Sequence, residues 1–203
     1  VAAATILLVG TLAAAYAMRP AFAVIALIYF LVNVGYSFIF KNWVIVDVFA
    51  VGAGFVLRAV AGAVVINVAP SPWLYVVTIL LSLFIAINKR RHELVVLEGN
   101  AAGHRATLGD YSLHLLDEMT GVVTSATVMA YSLYTFSAET LPKNHSMMLT
   151  IPFVLYGVFR YLYLIHVRNQ GGEPSELFIK DRPLLTAIVL WGVSVLGILY
   201  FAR

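Results

Sequence analysis

Apolar residues run along this chain in long uninterrupted stretches, without the two-residue alternation of a half-buried strand. Seven stretches stand out: Val1–Met18, Ala21–Phe40, Asp47–Val65, Trp73–Asn88, Ser112–Ser137, Met147–His166 and Pro183–Phe201. Hydrocarbon offers no partner to a backbone N–H or C=O, so apolar runs of about 20 residues predict membrane-spanning helices. Pro20, Pro70 with Pro72, Pro142 and the pair Gly171–Gly172 fall between the runs, where helix breakers cost least. The pattern predicts an all-α, polytopic transmembrane helical bundle, organised as one integral membrane domain over residues 1–203.

Composition strengthens that picture. Hydrophobic residues make up 62% of the chain and charged residues 11%, with a mean hydropathy of +0.92, which excludes a water-soluble fold. The absence of cysteine excludes disulfides, thiolate metal sites and a cysteine nucleophile. A net charge of +3 is too small for the broad basic surface that nucleic acid requires. Residue 1 is Val, and no charged n-region precedes the first apolar run, so that run is not read as a signal peptide. The expectation is that the natural chain continues upstream.

The few polar residues are unevenly placed. Lys41, Lys89, Arg90, Arg91, Arg105, Arg168, Lys180 and Arg182 fall in alternate loops, whereas the other loops hold only Arg19, Lys143 and Arg203. The positive-inside rule makes the first set cytoplasmic. The acids share that side, with Glu139 the exception, and acids contribute little to topology. Long polar loops after the fourth and sixth runs therefore suggest a cap over a cytoplasmic cavity, although solvated connectors are the commoner fate of such loops.

Three segments carry candidate chemistry. In the first, Asn33 and Tyr36 share a helix face near the end of the second run, with Lys41, Asp47 and Arg58 following. Lys41 can snorkel, Tyr36 can sit in an interfacial belt and Asp47 can cap the third helix. Arg58 resists such a reading, because an arginine eleven residues past Asp47 costs at least about 2.5 kcal/mol unless paired or hydrated. The second segment, INKRRHELVVLEGNAAGHRATLGDYS, spaces Lys89, His92 and Glu93 along one helix face beside Arg90. Lys and Arg there suit phosphate oxygens and Glu suits a metal ion, while the plain alternative is a basic topological anchor. Asn100, Gly103, Arg105 and Gly109 form a turn-rich stretch ending at Asp110 and Tyr111, without a GxxxxGK[ST] or GxGxxG pattern. The third, RNQGGEPSELFIKDRPL, combines helix punctuation at Asp181 and Pro183 with mixed charge at Arg168, Lys180 and Arg182, and Arg160 is placed to snorkel toward it. The five histidines show no HExxH or paired-ligand spacing, and no GxSxG elbow is present.

On these residues the chain resembles the UbiA superfamily of intramembrane prenyltransferases, and more narrowly its decaprenyl-phosphate phosphoribosyltransferase branch. The resemblance rests on Tyr36 with Lys41, FVLRAVAGA around Arg58, the KRxxEL run at 89–94, the stretch from Arg105 to Tyr111 and GGEPSELFIKDRPL at 171–184. It implies a nine-span fold of which these seven runs are the last seven. The family's NDxxDxxxD motif for Mg²⁺ has no counterpart here and is expected before Val1; the usual KRYxEL has Arg91 in place of its Tyr. The resemblance implies transfer of phosphoribose from 5-phosphoribosyl pyrophosphate to a polyprenyl phosphate at the cytoplasmic face of a bacterial plasma membrane, in arabinan synthesis for the cell wall. It implies that Lys41, Arg58, Lys89, Arg90, Arg105 and Arg182 contact phosphates, and that Asp47, Glu93 and Asp181 orient ribose hydroxyls or hydrated metal. Asn33, Tyr36, Tyr111 and Lys180 complete the expected substrate contacts, and the reading leaves room for a homo-oligomer. The rival readings are a prenyltransferase of the same fold acting on an aromatic acceptor such as 4-hydroxybenzoate, and a lipid or solute transporter.

Overall fold

The computed structural model describes residues 2–69, 71–96, 106–139, 141–168, 170 and 174–201. All seven apolar runs form helices: α1 (Ala2–Met18), α2 (Pro20–Phe38), α3 (Val46–Val65), α4 (Pro72–Val96), α5 (Leu113–Ser137), α6 (Ile151–His166) and α8 (Arg182–Phe201). A short helix, α7 (Pro174–Lys180), lies in the loop before α8 and was not foreseen. No strand occurs among the described residues. Prolines open α2, α4 and α7, where the missing N–H would have had no intrahelical partner. Ser112 caps α5 by accepting the Leu115 N–H at 3.1 Å.

Five of these helical stretches are long and apolar enough to cross a membrane: Pro20–Phe38, Val46–Val65, Pro72–Val96, Ser146–His166 and Arg182–Phe201. The chain is a multi-pass membrane protein. Two expected spans fall outside that set for different reasons. The apolar part of α1, Thr5–Met18, is short. By contrast α5 is long but carries His114, Asp117 and Glu118 in its first two turns and buries Thr120, Thr124, Thr127 and Thr135.

The chain divides into two compact units, Val1–Leu83 and Phe84–Arg203, with the boundary inside α4. In the first unit α2 packs against both α1 and α3. Gly52 allows α3 to approach α4 closely, since a Cβ there would lie 3.2 Å from Ser82 Oγ. The second unit is built around Phe84, Tyr161, Leu164, Ile165, Leu177 and Leu184. Tyr161 sits in the middle, 4.9 Å from the Phe84 ring and 5.7 Å from the Phe178 ring between centroids. A directed hydrogen-bond chain ties three elements of this unit together. Trp191 Nε1 donates to Tyr131 Oη (2.7 Å), and Thr150 Oγ1 donates to the Met147 carbonyl (2.6 Å). Tyr131 must then donate to Thr150 across their 2.6 Å contact.

Candidate functional site

In the first unit α2 and α3 run antiparallel around the turn 39–45, so Tyr36 faces the start of α3 and Tyr29 faces Arg58 two turns further in. Between them lies a cavity of about 190 Å³ lined by Tyr29, Val32, Asn33, Tyr36, Ala50, Val51, Gly54, Phe55 and Arg58. Three of the expected site residues thus share one hollow: Asn33, Tyr36 and Arg58. Tyr29, Asn33 and Tyr36 are spaced i, i+4, i+7 along one α2 face, which is the reason they line it together. Asn33 turns its amide back to the Tyr29 carbonyl at 2.7 Å.

Arg58 is held by aromatics. Its guanidinium donates to the Tyr29 hydroxyl and lies 5.1 Å from the Tyr29 ring centroid and 5.3 Å from that of Phe55. Cation–π contacts of this kind contribute about 0.5–2 kcal/mol each. No carboxylate pairs with Arg58 among the described residues.

The remaining residues of this segment sit beside the cavity. Lys41 is exposed on a one-turn 3₁₀ helix, Phe40–Asn42. Asp47 is fully buried in the first turn of α3, where a negative charge complements the helix dipole. It is not the cap: that position belongs to Ile45, with φ of 71° and no side-chain cap bond, because α3 begins one residue before Asp47. A β-branched residue in the left-handed region is a strained feature at the entry to this site.

In the second unit α4 continues past its expected end at Asn88 as far as Val96, so the basic run is helical throughout. Lys89 is exposed, while Arg90 is only 5% exposed and pairs with Glu93 one turn on. Glu93 therefore already serves a guanidinium. Arg91 Nε lies 2.6 Å from Asp117 Oδ1, and His166 Nδ1 approaches the same oxygen at 3.7 Å, so α4, α5 and α6 meet at one carboxylate. Asn88, fully buried, donates to the Phe84 carbonyl at 2.7 Å and accepts from Thr120 at 3.5 Å. Tyr111 is buried at 5% exposure beside the 3₁₀ turn Ala106–Asp110, whose Thr107 and Leu108 are also buried.

Asp181 has a full set of partners. Arg160 grips it at both oxygens, Nε to Oδ1 at 3.1 Å and Nη2 to Oδ2 at 2.8 Å, and the Leu184 N–H donates to Oδ1 at 2.9 Å. Arg160 thus reaches the loop as its position suggested, and Asp181 caps α8. The hydrogen bond from Arg160 holds the Asp181 carboxyl below the usual carboxylate range, with the Leu184 N–H adding to the effect. Lys180 and Arg182, both exposed, flank this pair. Arg105 lies outside the described residues, as do Asn100, Gly103 and the Gly171–Gly172 pair.

No protein-family model matches the chain. It is similar to a protein named decaprenyl-phosphate phosphoribosyltransferase in Mycolicibacterium smegmatis, 27% identical over 98% of this chain and 65% of that protein. Proteins of the same name in Mycobacterium tuberculosis H37Rv (27% identical, 95% of this chain, 63% of the relative) and Corynebacterium glutamicum (29%, 85% and 52%) match similarly. The chain is a relative of the decaprenyl-phosphate phosphoribosyltransferases. It spans between about half and two-thirds of the length of these curated relatives.

Several residues carry a sequence signal that spacing along one run does not single out. Tyr29 completes the face begun by Asn33 and Tyr36. Asp117 and His166 stand near the ends of apolar runs, where a charge needs a partner, and Arg91 is that partner for Asp117. Asn88 carried no warning beyond being an amide in an apolar run.

Proposed function

We propose that this chain belongs to an enzyme that transfers 5-phosphoribose from 5-phosphoribosyl pyrophosphate to a polyprenyl phosphate, such as decaprenyl phosphate. The similarity to enzymes of that name along 98% of the chain carries the reading. The α2–α3 cavity supports it, because a membrane-embedded guanidinium without a carboxylate suits an anionic substrate. In this reading the active face is the cytoplasmic face of a bacterial plasma membrane, following the basic bias of Lys41, Lys89, Arg90, Lys180 and Arg182.

The chemistry asks for little covalent help. An oxygen of the lipid phosphate attacks the anomeric carbon of the phosphoribose, forming the new C–O bond, while pyrophosphate departs with the electron pair of the bond it leaves. The developing positive charge on the sugar and the negative charge on pyrophosphate need positioning and electrostatic complement. Arg58 holds one phosphate within the membrane and the exposed Lys41 of the same unit supplies a second cation, while Lys89 and Arg182, exposed in the other unit, are the further phosphate contacts that the resemblance implies. Magnesium is implied by the resemblance. No group of three or more His, Asp or Glu side chains gathers among the described residues, so these residues do not fit a metal centre.

The test is a transfer assay with label in the ribose. Membranes carrying the full-length protein should move label from 5-phosphoribosyl pyrophosphate into a lipid, and Lys89→Ala and Arg182→Ala should insert normally yet lose most of that transfer. Near-normal rates in both variants would remove these residues from the site. Label that stays water-soluble in the wild type would refute the reading.

A further inference from the structure

The α2–α3 cavity poses a question that the proposed function leaves open, namely which of two phosphorylated substrates its single guanidinium receives. We infer that it receives the phosphate of the lipid and not the sugar donor, with the first carbons of the polyprenyl chain against Val32, Val51 and Phe55. This rests on the phosphoribosyl-transfer reading and narrows it to one substrate at one site.

Size is the first argument. Sites that enclose a whole small molecule usually run to roughly 300–1,000 Å³. At about 190 Å³ the cavity holds only a fragment of a ligand. Wall chemistry is the second. Val32, Ala50, Val51, Gly54 and Phe55 offer no polar side-chain atom, Tyr29, Asn33 and Tyr36 are polar but neutral, and Arg58 is the one charged residue of the lining. A donor with a phosphate, a pyrophosphate and ribose hydroxyls would leave most of its polar groups unmatched there, at about 1–3 kcal/mol for each. A phosphomonoester on an apolar chain brings fewer: its oxygens meet the guanidinium and the neutral polar side chains, and its carbons meet the aliphatic wall.

Access is the third argument. Asn33, Phe55 and Arg58 are exposed, so the hollow opens on the surface of two apolar helices. A lipid whose chain already lies in the hydrocarbon reaches such an opening laterally. Tyr29 prepares the site by accepting one guanidinium N–H and flanking the cation with its ring, so the remaining N–H groups stay oriented for a ligand.

The experiment uses the full-length protein in phosphatidylcholine nanodiscs and measures direct binding of farnesyl phosphate, farnesol and 5-phosphoribosyl pyrophosphate, with KM for each phosphate where transfer is seen. Arg58→Gln should weaken farnesyl phosphate about tenfold or more, the loss of a charge-assisted pair. It should leave farnesol and the sugar donor within about twofold. Gly54→Val provides a second variant with Arg58 intact: a Cβ there meets Tyr29 Cε2 at 3.8 Å, ordinary contact, and the added methyls fill the hollow. It should weaken farnesyl phosphate as well. A loss confined to the sugar donor, an equal loss of both phosphates, or no loss in either variant overturns the assignment. Equal competition by phosphatidic acid also overturns it, because the site would then be one for any anionic lipid. Wild type that binds farnesyl phosphate through Arg58 but transfers no phosphoribose refutes the transfer reading and leaves the lipid site standing.

Discussion

Arg58 and Arg160 both sit within apolar helices, and their surroundings differ in kind. Arg160 is neutralised in place by a bidentate grip on Asp181 that also caps α8. Arg58 has two aromatic rings, one of them the phenol whose hydroxyl accepts from it, and no carboxylate among the described residues. The first arrangement is complete without a ligand; the second is not. A cation in hydrocarbon costs about 2.5–3.5 kcal/mol, of which cation–π contacts and one neutral hydrogen bond recover only a part. The lesson is that an intramembrane charge marks a site only where the protein does not itself supply the counter-charge.

The largest effects should come from setting the two arginines against each other by substitution. Arg160→Leu strands Asp181 and removes its two strongest donors, so the thermal midpoint in detergent should fall by several degrees. Arg58→Leu removes an uncompensated charge and should raise stability, by about 1 kcal/mol once the lost aromatic contacts are counted. The double variant Arg160→Leu/Asp181→Leu should regain much of what the single change loses, since removing both partners of an ion pair is far less costly than removing one. A stability drop of similar size for Arg58→Leu and Arg160→Leu would break the comparison, because Arg58 would then be as structural as Arg160.

The next effect is one of pH. The Asp181 carboxyl is held below the usual range, first by Arg160, so the unfolded chain binds its proton more tightly than the folded one. The pair's contribution is whole above the ordinary carboxylate pKa of about 3.9 and drains away as pH falls through the lower folded-state value. Thermal unfolding followed from about pH 6 to about pH 3 should show this acid loss in wild type and a shallower one in Asp181→Asn. The Arg58 cavity has no carboxylate of its own, so Arg58→Leu should leave the acid slope unchanged. An equal flattening in both variants would mean that the slope arises elsewhere.

The sequence made the helices legible because hydrocarbon admits few alternatives: all seven apolar runs are helical, and prolines open two of them, α2 and α4. Much of the α2–α3 site was legible too. Asn33, Tyr36 and Arg58 converge because α-helical spacing and a short antiparallel turn leave little freedom. What could not be read was which charges would satisfy one another. Asp181, expected to orient a ribose, is occupied by an arginine 21 residues earlier in sequence, and Glu93 by Arg90 on its own helix. Such pairings depend on tertiary proximity, on which spacing along one run is silent. Asp47 shows the same limit on a smaller scale, since its place as cap was lost to a one-residue difference in where α3 begins.

A third substitution, Asp117→Asn, tests whether the Arg91 contact behaves like the Arg160 pair. Asp117 is more exposed than Asp181, at 39% against 13% for the side chains, so solvent already screens it. Its loss should lower the midpoint by less than Arg160→Leu does, and a charge swap, Arg91→Asp with Asp117→Arg, should restore part of it. A fall as large as that of Arg160→Leu would show that the meeting point of α4, α5 and α6 is the stronger anchor.

The smallest expected effect belongs to Tyr29→Phe, and it sharpens what holds Arg58 in place. The change keeps the ring 5.1 Å from the guanidinium and removes only the hydroxyl that accepts from it. If the ring supplies most of the cradle, stability should shift by no more than about 1 kcal/mol. Affinity for farnesyl phosphate should fall only about two- to fivefold, through a less well oriented cation. Tyr29→Leu removes ring and hydroxyl together and should weaken binding further, by roughly the 0.5–2 kcal/mol of a cation–π contact. Equal losses in the two variants, measured by farnesyl phosphate titration into nanodiscs, would assign the positioning of Arg58 to the hydrogen bond alone. The aromatic wall would then be packing, and the contrast with the carboxylate-held Arg160 would reduce to a difference in hydrogen-bond partner.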